Sequence, residues 1–191
     1  MYNADNRSKL LQIARGSIAF GLESGRPCLP NLESLPDGFR KTGASFVTLS
    51  NRGVLRGCTG SIVARRPLGW DVAENAFSTA FKDARFTPLE AAEFPQLLIE
   101  ISLLSTPREI TFINEADLLD KLQPYVDGLV ISAMGHKATF LPKVWENLRE
   151  PRQFLNELKV KAGLGVDYST AGLTVSRYRT EIFAEPVCGQ G

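Results

Sequence analysis

The sequence predicts an α+β fold of mainly antiparallel sheet flanked by helices. Three observations lead there. The elements read in the order helix, hairpin, helix, strand, helix, hairpin, helix, strand, without the strict alternation that a parallel sheet requires. Turn signals at Asn51-Arg52-Gly53 and Met134-Gly135-His136 each separate two strand-like runs, which makes both pairings antiparallel. The chain has 191 residues, 43% of them hydrophobic, enough for one domain or two small lobes with a packed core.

The first helix is predicted from Asp5 to Phe20. Leu10, Ile13, Ala14, Ser17, Ile18 and Gly21 fall on one face, and Asp5 stands at the capping position. From Glu23 to Gly43 the prolines Pro27, Pro30 and Pro36 block regular structure, so this segment is read as irregular, wrapping the surface or bordering a site. Ala44–Ser50 and Val54–Ile62 form the first hairpin. Pro67 opens a helix in which Val72, Ala73, Ala76, Phe77, Ala80 and Phe81 recur at helical spacing, ending near Ala84. Leu97–Ser105 alternates between Leu97, Ile99, Ile101 and Leu103 on one face and Leu98, Glu100, Ser102 and Leu104 on the other, a strand with one buried side. A short helix over Glu115–Gln123 follows, then a second hairpin of Leu129–Ala133 and Lys137–Leu141. A helix opened by Pro151 buries Phe154, Leu155, Leu158 and Ala162 and ends at Gly163. One final strand is predicted from Leu173 to Ala184.

Composition excludes several classes. With 22 basic and 21 acidic residues, the net charge of +1 argues against nucleic acid as a partner and against an anionic membrane surface. No run of about 18 apolar residues suggests a transmembrane helix, and the polar start Met1-Tyr2-Asn3-Ala4-Asp5 lacks a signal-peptide core, so a cytoplasmic location is expected. Cys28, Cys58 and Cys188 are odd in number and widely spaced, against a disulfide framework, and with one histidine, His136, no structural zinc set is expected.

The densest local chemistry is Leu55-Arg56-Gly57-Cys58-Thr59-Gly60-Ser61. In a regular strand Arg56 and Cys58 share a face, and a guanidinium beside a thiol favours the thiolate. Gly57 and Gly60 permit close approach by a ligand or by another chain segment.

This heptapeptide resembles the signature of the AMMECR family, the system protein A of the AmmeMemoRadiSam group. Ser45-Phe46-Val47-Thr48-Leu49 resembles that family's lead-in strand, and Ala80-Phe81-Lys82-Asp83-Ala84-Arg85-Phe86 its helix exit. Ile99-Glu100-Ile101-Ser102-Leu103-Leu104, Phe140-Leu141-Pro142-Lys143-Val144-Trp145 and Lys161-Ala162-Gly163-Leu164 resemble later segments in the family's order, so the similarity runs from Phe20 to Phe183. The signature commonly has isoleucine where this chain has Thr59, and the loop holding His136 is variable in type.

The resemblance implies a single domain over residues 1–191, built as two unequal, interleaved lobes with a cleft between them and the signature cysteine near it. An N-terminal helix occupies residues 1–22 and the irregular proline-rich segment residues 23–43. The resemblance also implies partners: a Memo-type protein and a radical S-adenosylmethionine enzyme. It supplies no established reaction, and the cofactor stays unknown.

Cys58 and Arg56 are then the candidate catalytic pair, against the plainer reading of Cys58 as a small buried hydrophobe. Gly57, Thr59, Gly60, Ser61, Asp83, Arg85, Glu100 and His136 are the candidate cleft or ligand-binding residues. Asp83 and Arg85 either wall the cleft or form an ion pair fixing the helix exit. Glu100 faces solvent, borders the cleft, or pairs with Arg56 or Arg85, the last joining three motifs in one polar network. His136 reads first as a solvent-facing turn residue and second as a base for Cys58. Lys159 and Lys161 read as a solvated helix end, Trp70 and Trp145 as packing anchors, and Cys28 and Cys188 as incidental. Two functions compete: a small-molecule enzyme or enzyme subunit acting through a reactive Cys58, and a non-catalytic protein-interaction module. An RNA-associated role ranks below both.

Overall fold

The structure, a computed structural model, describes residues 2–186; Cys188 lies outside them. The chain divides into two compact units, one of the described residues up to Leu104 and from Glu181 onward, the other of Ser105–Thr180.

The first unit begins with helix α1 (Ala4–Ser24), capped by Asn3, whose side chain accepts a hydrogen bond from the Asn6 N–H at 2.9 Å. The predicted cap, Asp5, sits inside the first turn instead, where its charge suits the helix dipole. The stretch predicted as irregular contains a 3-10 turn (Leu32–Ser34) and a short helix, α2 (Asp37–Arg40), and inserts Leu35 and Phe39 into the core. Strands β1 (Thr42–Asn51) and β2 (Val54–Gly60) follow, joined by a turn with positive φ at Arg52 (51°) and Gly53 (80°). That geometry matches the right-handed twist of the flanking strands. A two-residue strand, β3 (Arg66–Pro67), leads into α3 (Leu68–Phe81), and β4 (Leu97–Leu104) completes this part of the unit.

The second unit comprises β5 (Arg108–Glu109), α4 (Glu115–Lys121), β6 (Gly128–Ala133), β7 (His136–Phe140), α5 (Pro151–Lys161) and β8 (Thr174–Tyr178). Its sheet runs β5-β8-β6-β7 with antiparallel pairing throughout. Leu129, Ile131 and Val175 pack with Phe154, Leu155 and Leu158 of α5. The buried Trp145 stacks on Phe154 with ring centroids 3.8 Å apart, and its indole N–H donates to the Asp127 carbonyl at 2.7 Å. Lys159 is not solvated: it is 1% exposed, and its ammonium donates to Glu115 at 2.9 Å and to the Val166 carbonyl at 3.3 Å. Pairing makes such burial tolerable.

The chain then re-enters the first unit as β9 (Thr180–Ala184), beside β4. The single strand predicted over Leu173–Ala184 is thus two strands in two sheets. The break falls at Arg179, whose N–H donates to Ser105 Oγ and whose carbonyl accepts from the Ser105 N–H, at 2.9 and 2.8 Å. No glycine or proline marks it, so the alternation runs through unbroken.

The first sheet has the order β2-β1-β4-β9, with β3 on the start of β1. Both α1 and α3 pack on one of its faces: Leu10, Ala14 and Ile18 meet Val72, Ala76 and Ala80 over Val47, Leu49, Ile99 and Ile101. Each leucine, isoleucine or valine among them, fully buried, contributes about 1.5–3 kcal/mol. The opposite face carries Phe46, Thr48 and Ser50 of β1 and Leu98, Glu100 and Ser102 of β4, all half-buried. Among the described residues no helix is long and apolar enough to cross a membrane.

Candidate functional site

The signature heptapeptide is the second arm of the first hairpin, and its two faces have different duties. Cys58 stands opposite Thr48, and Thr48 stands opposite Glu100. The three form a row across β2, β1 and β4 on the face away from α3. The Thr48 hydroxyl donates to Cys58 Sγ at 3.4 Å, and the thiol is half-buried.

The backbone of Cys58 is clasped on both sides. Its N–H donates to Asp83 Oδ2 at 2.9 Å, and its carbonyl accepts from Arg85 Nη2 at 3.0 Å. Asp83 and Arg85 are joined by two hydrogen bonds, Nε to Oδ1 at 2.9 Å and Nη2 to Oδ2 at 2.6 Å. The bidentate pair is the strong form of this contact. Arg85 above all, then the backbone N–H groups of Cys58 and Arg85, hold the Asp83 carboxyl far below the usual carboxylate range, against the opposing effect of burial. The Arg85 guanidinium is held protonated chiefly by Asp83, with a smaller Coulombic contribution from Cys58.

Arg56 does not serve the thiol as the strand rule predicts. Leu49 pairs with Gly57 but Ser50 with Leu55, so Arg56 is an extra residue in β2. Its guanidinium donates to both carboxylate oxygens of Glu93, at 2.6 and 3.0 Å, and to the Thr87 carbonyl at 2.9 Å. A carboxylate outcompetes a neutral thiol for a guanidinium, and Glu93 is remote in sequence. Nor does the single network through Glu100 form: Glu100 has no hydrogen-bond or ion-pair partner among the described residues, and Arg56–Glu93 and Asp83–Arg85 are separate pairs.

The remaining signature residues bind the chain to itself. A Cβ on Gly57 would lie 2.7 Å from the Thr79 carbonyl oxygen, and one on Gly60 would strike the Phe46 ring and lie 2.5 Å from the Ser45 carbonyl oxygen. Of the two occupants that glycine allows, another chain segment is the one present. Thr59 Oγ1 meets Thr79 Oγ1 at 2.7 Å and donates to the Asn75 carbonyl at 3.2 Å. Ser61 Oγ donates to Asp71 Oδ1 at 2.8 Å. Asp71, 1% exposed, also accepts from the Ser45 N–H and hydroxyl, from Asn75 and from Arg66, at 2.7–3.0 Å. Such saturation is what a buried carboxylate requires. Thr59 and Ser61, candidate cleft or ligand-binding residues, both hydrogen-bond to α3.

His136 belongs to the second unit and Cys58 to the first. It is the first residue of β7 rather than a turn residue, opposite Ala133, exposed, with its ring against Gly163. The turn itself is Met134-Gly135. Sequence reasoning missed Thr48 and Glu93, which carry no local signal. It also passed over Asp71, Asn75 and Thr79, whose spacing of four along an apolar helix does announce a buried polar stripe.

The sequence matches the AMMECR1 family over residues 11–183. The chain belongs to the AMMECR1 family. It is 32% identical over 188 residues to a protein of Methanothermobacter thermautotrophicus, covering 95% of each chain. It is 33% identical over 183 residues to a protein of Saccharolobus islandicus, covering 92% of this chain and 80% of that one. The crystal structure of an uncharacterized protein from Pyrococcus horikoshii is similar with a TM-score of 0.84 and 28% identity, over 96% of this chain and 93% of that one. In this AMMECR1-family chain the signature cysteine is thus held by the Asp-x-Arg segment that follows α3, and the signature glycines by packing against α3 and β1.

Proposed function

We propose that this chain is a small-molecule enzyme, or a subunit of one, in which the Cys58 thiol contacts the substrate. The observation that carries the reading is the double clasp on the Cys58 peptide groups by Asp83 and Arg85. Two charged hydrogen bonds on one residue's backbone are more than a strand needs to hold register, and they fix where the sulfur stands. Thr48 orients the thiol and Arg85 supplies positive charge nearby, while Glu100, unpaired, stands two strands away in the same row. The wider assignment, a cytoplasmic pathway shared with a Memo-type protein and a radical S-adenosylmethionine enzyme, rests on the family resemblance.

The test is iodoacetamide alkylation at neutral pH, read site by site by peptide mass spectrometry so that Cys28 serves as an internal reference. Cys58 is expected to react several-fold faster than Cys28, and Arg85→Ala to lower that rate more than Arg56→Ala. A Cys58 rate no higher than that of a free peptide thiol would end the nucleophile reading. The second reading, a docking module, is favoured by the exposed apolar pair Val54 and Leu55 beside the hairpin turn. Retained partner capture and cellular function in Cys58→Ser would select it.

A further inference from the structure

A basic basin in the second unit is unused by the Cys58 reading and does not rest on it. Arg108 of β5 and Arg177 of β8 are direct cross-strand partners. Like charges placed so are destabilising unless an anion lies between them. Arg179 follows two residues after Arg177, and all three line one cavity of about 800 Å³. Two of the arginines are tethered from behind. Arg177 donates to the Lys121 carbonyl at 3.2 Å and lies 3.5 Å from the fully buried Asp127, and Arg179 donates to the neutral side chain of Gln123 at 3.1 Å. Arg108 has no acceptor among the described residues. Glu109 is the one acidic side chain on the wall and Asp127 pairs with Arg177 from behind, so three guanidiniums against two carboxylates leave one positive charge unmatched there.

We propose that this basin binds a small molecule through a phosphate group. A phosphate monoester carries about −1.5 to −2 charge at neutral pH, which the unmatched positive charge attracts, and its oxygens suit the forked donors of arginine. The Ser105 and Thr106 hydroxyls on the same wall add neutral donors. The volume is that of a small-molecule site.

The experiment uses the full chain and inorganic phosphate as probe, read by thermal unfolding and by phosphorus NMR line broadening. Phosphate is expected to raise the unfolding midpoint saturably, beyond sodium chloride at equal ionic strength. Arg108→Gln and Arg179→Gln are each expected to weaken the apparent affinity roughly tenfold, while the exposed Arg149→Gln leaves it unchanged. Should Arg179→Gln fail to fold, Arg108→Gln, on an exposed two-residue strand, decides alone by line broadening. Equal shifts from chloride and phosphate, or unchanged affinity in Arg108→Gln, overturn the proposal. So does a single-stranded oligonucleotide that displaces phosphate with the same arginine dependence, since the ligand would then be nucleic acid.

Discussion

Asp83 accepts hydrogen bonds from two backbone N–H groups and from Arg85, so Asp83→Ala leaves the Cys58 N–H without its acceptor and is expected to cost about 2–3 kcal/mol in urea unfolding at pH 7. The sign of its pH dependence follows from the direction of the shift. The folded carboxyl ionises far below its unfolded value of about 3.9, so its contribution is complete above that pH and declines as pH falls through it. The gap between parent and variant should be constant from neutral pH to about 5 and narrow below about 4; a gap unchanged in acid would contradict the assignment. Tyr178 shows the opposite case. Burial pushes its phenol up to about 12, with its hydroxyl bonded to Thr139 and the Phe140 carbonyl. The neutral form is the one the fold favours, so stability is intact below about 10, the unfolded value, and is lost as pH rises through 12. Of the four tyrosines, Tyr178 should lag furthest in a phenolate absorbance titration of the folded protein, beyond Tyr2, which burial and then Glu181 also push up, and Tyr178→Phe should remove the last component. At this scale the sequence pointed to Cys58 and to the Asp83–Arg85 ion pair but set Arg56 beside the thiol, because the Glu93 carboxylate that takes its guanidinium is remote in the chain.

Among the elements, α3 organises the site. Its apolar residues build the core, and its polar stripe of Asp71, Asn75 and Thr79 receives Ser45 and Thr59 from the two hairpin strands and Ser61 from just past the second. Gly57 lets β2 come close enough for those contacts. Gly57→Ala places a methyl group 2.7 Å from the Thr79 carbonyl oxygen, a backbone atom that cannot swing aside. The expected cost is about 1–3 kcal/mol, seen as a lowered thermal midpoint, together with a changed Cys58 alkylation rate as the strand shifts. A midpoint equal to the parent's would show that β2 has slack against α3. The hairpins were readable because a turn signal flanked by alternating residues is local chemistry. The extra residue at Arg56 was not, since nothing beside it distinguishes a bulge from regular strand.

Across the molecule, the second unit is an insertion whose two ends meet, through the paired hydrogen bonds of Ser105 and Arg179. It has its own sheet and its own core around Trp145 and Phe154. A chain of residues 105–180 alone is therefore expected to fold, with a single cooperative urea transition and protected indole fluorescence; a broad, non-cooperative loss of signal would mean that its core is insufficient. By itself the sequence determined the α+β class, the two hairpins, the principal helices and the family, since hydrophobic period, turn chemistry and ordered motifs are all properties of neighbouring residues. Tertiary structure alone decided that the last predicted strand is shared between two sheets, that Lys159 is buried, that Arg56 answers to Glu93, and that Arg108, Arg177 and Arg179 line one basin. Each of these depends on contacts between residues far apart in the chain, and their energies are set by burial and charge in three dimensions, which no local pattern encodes.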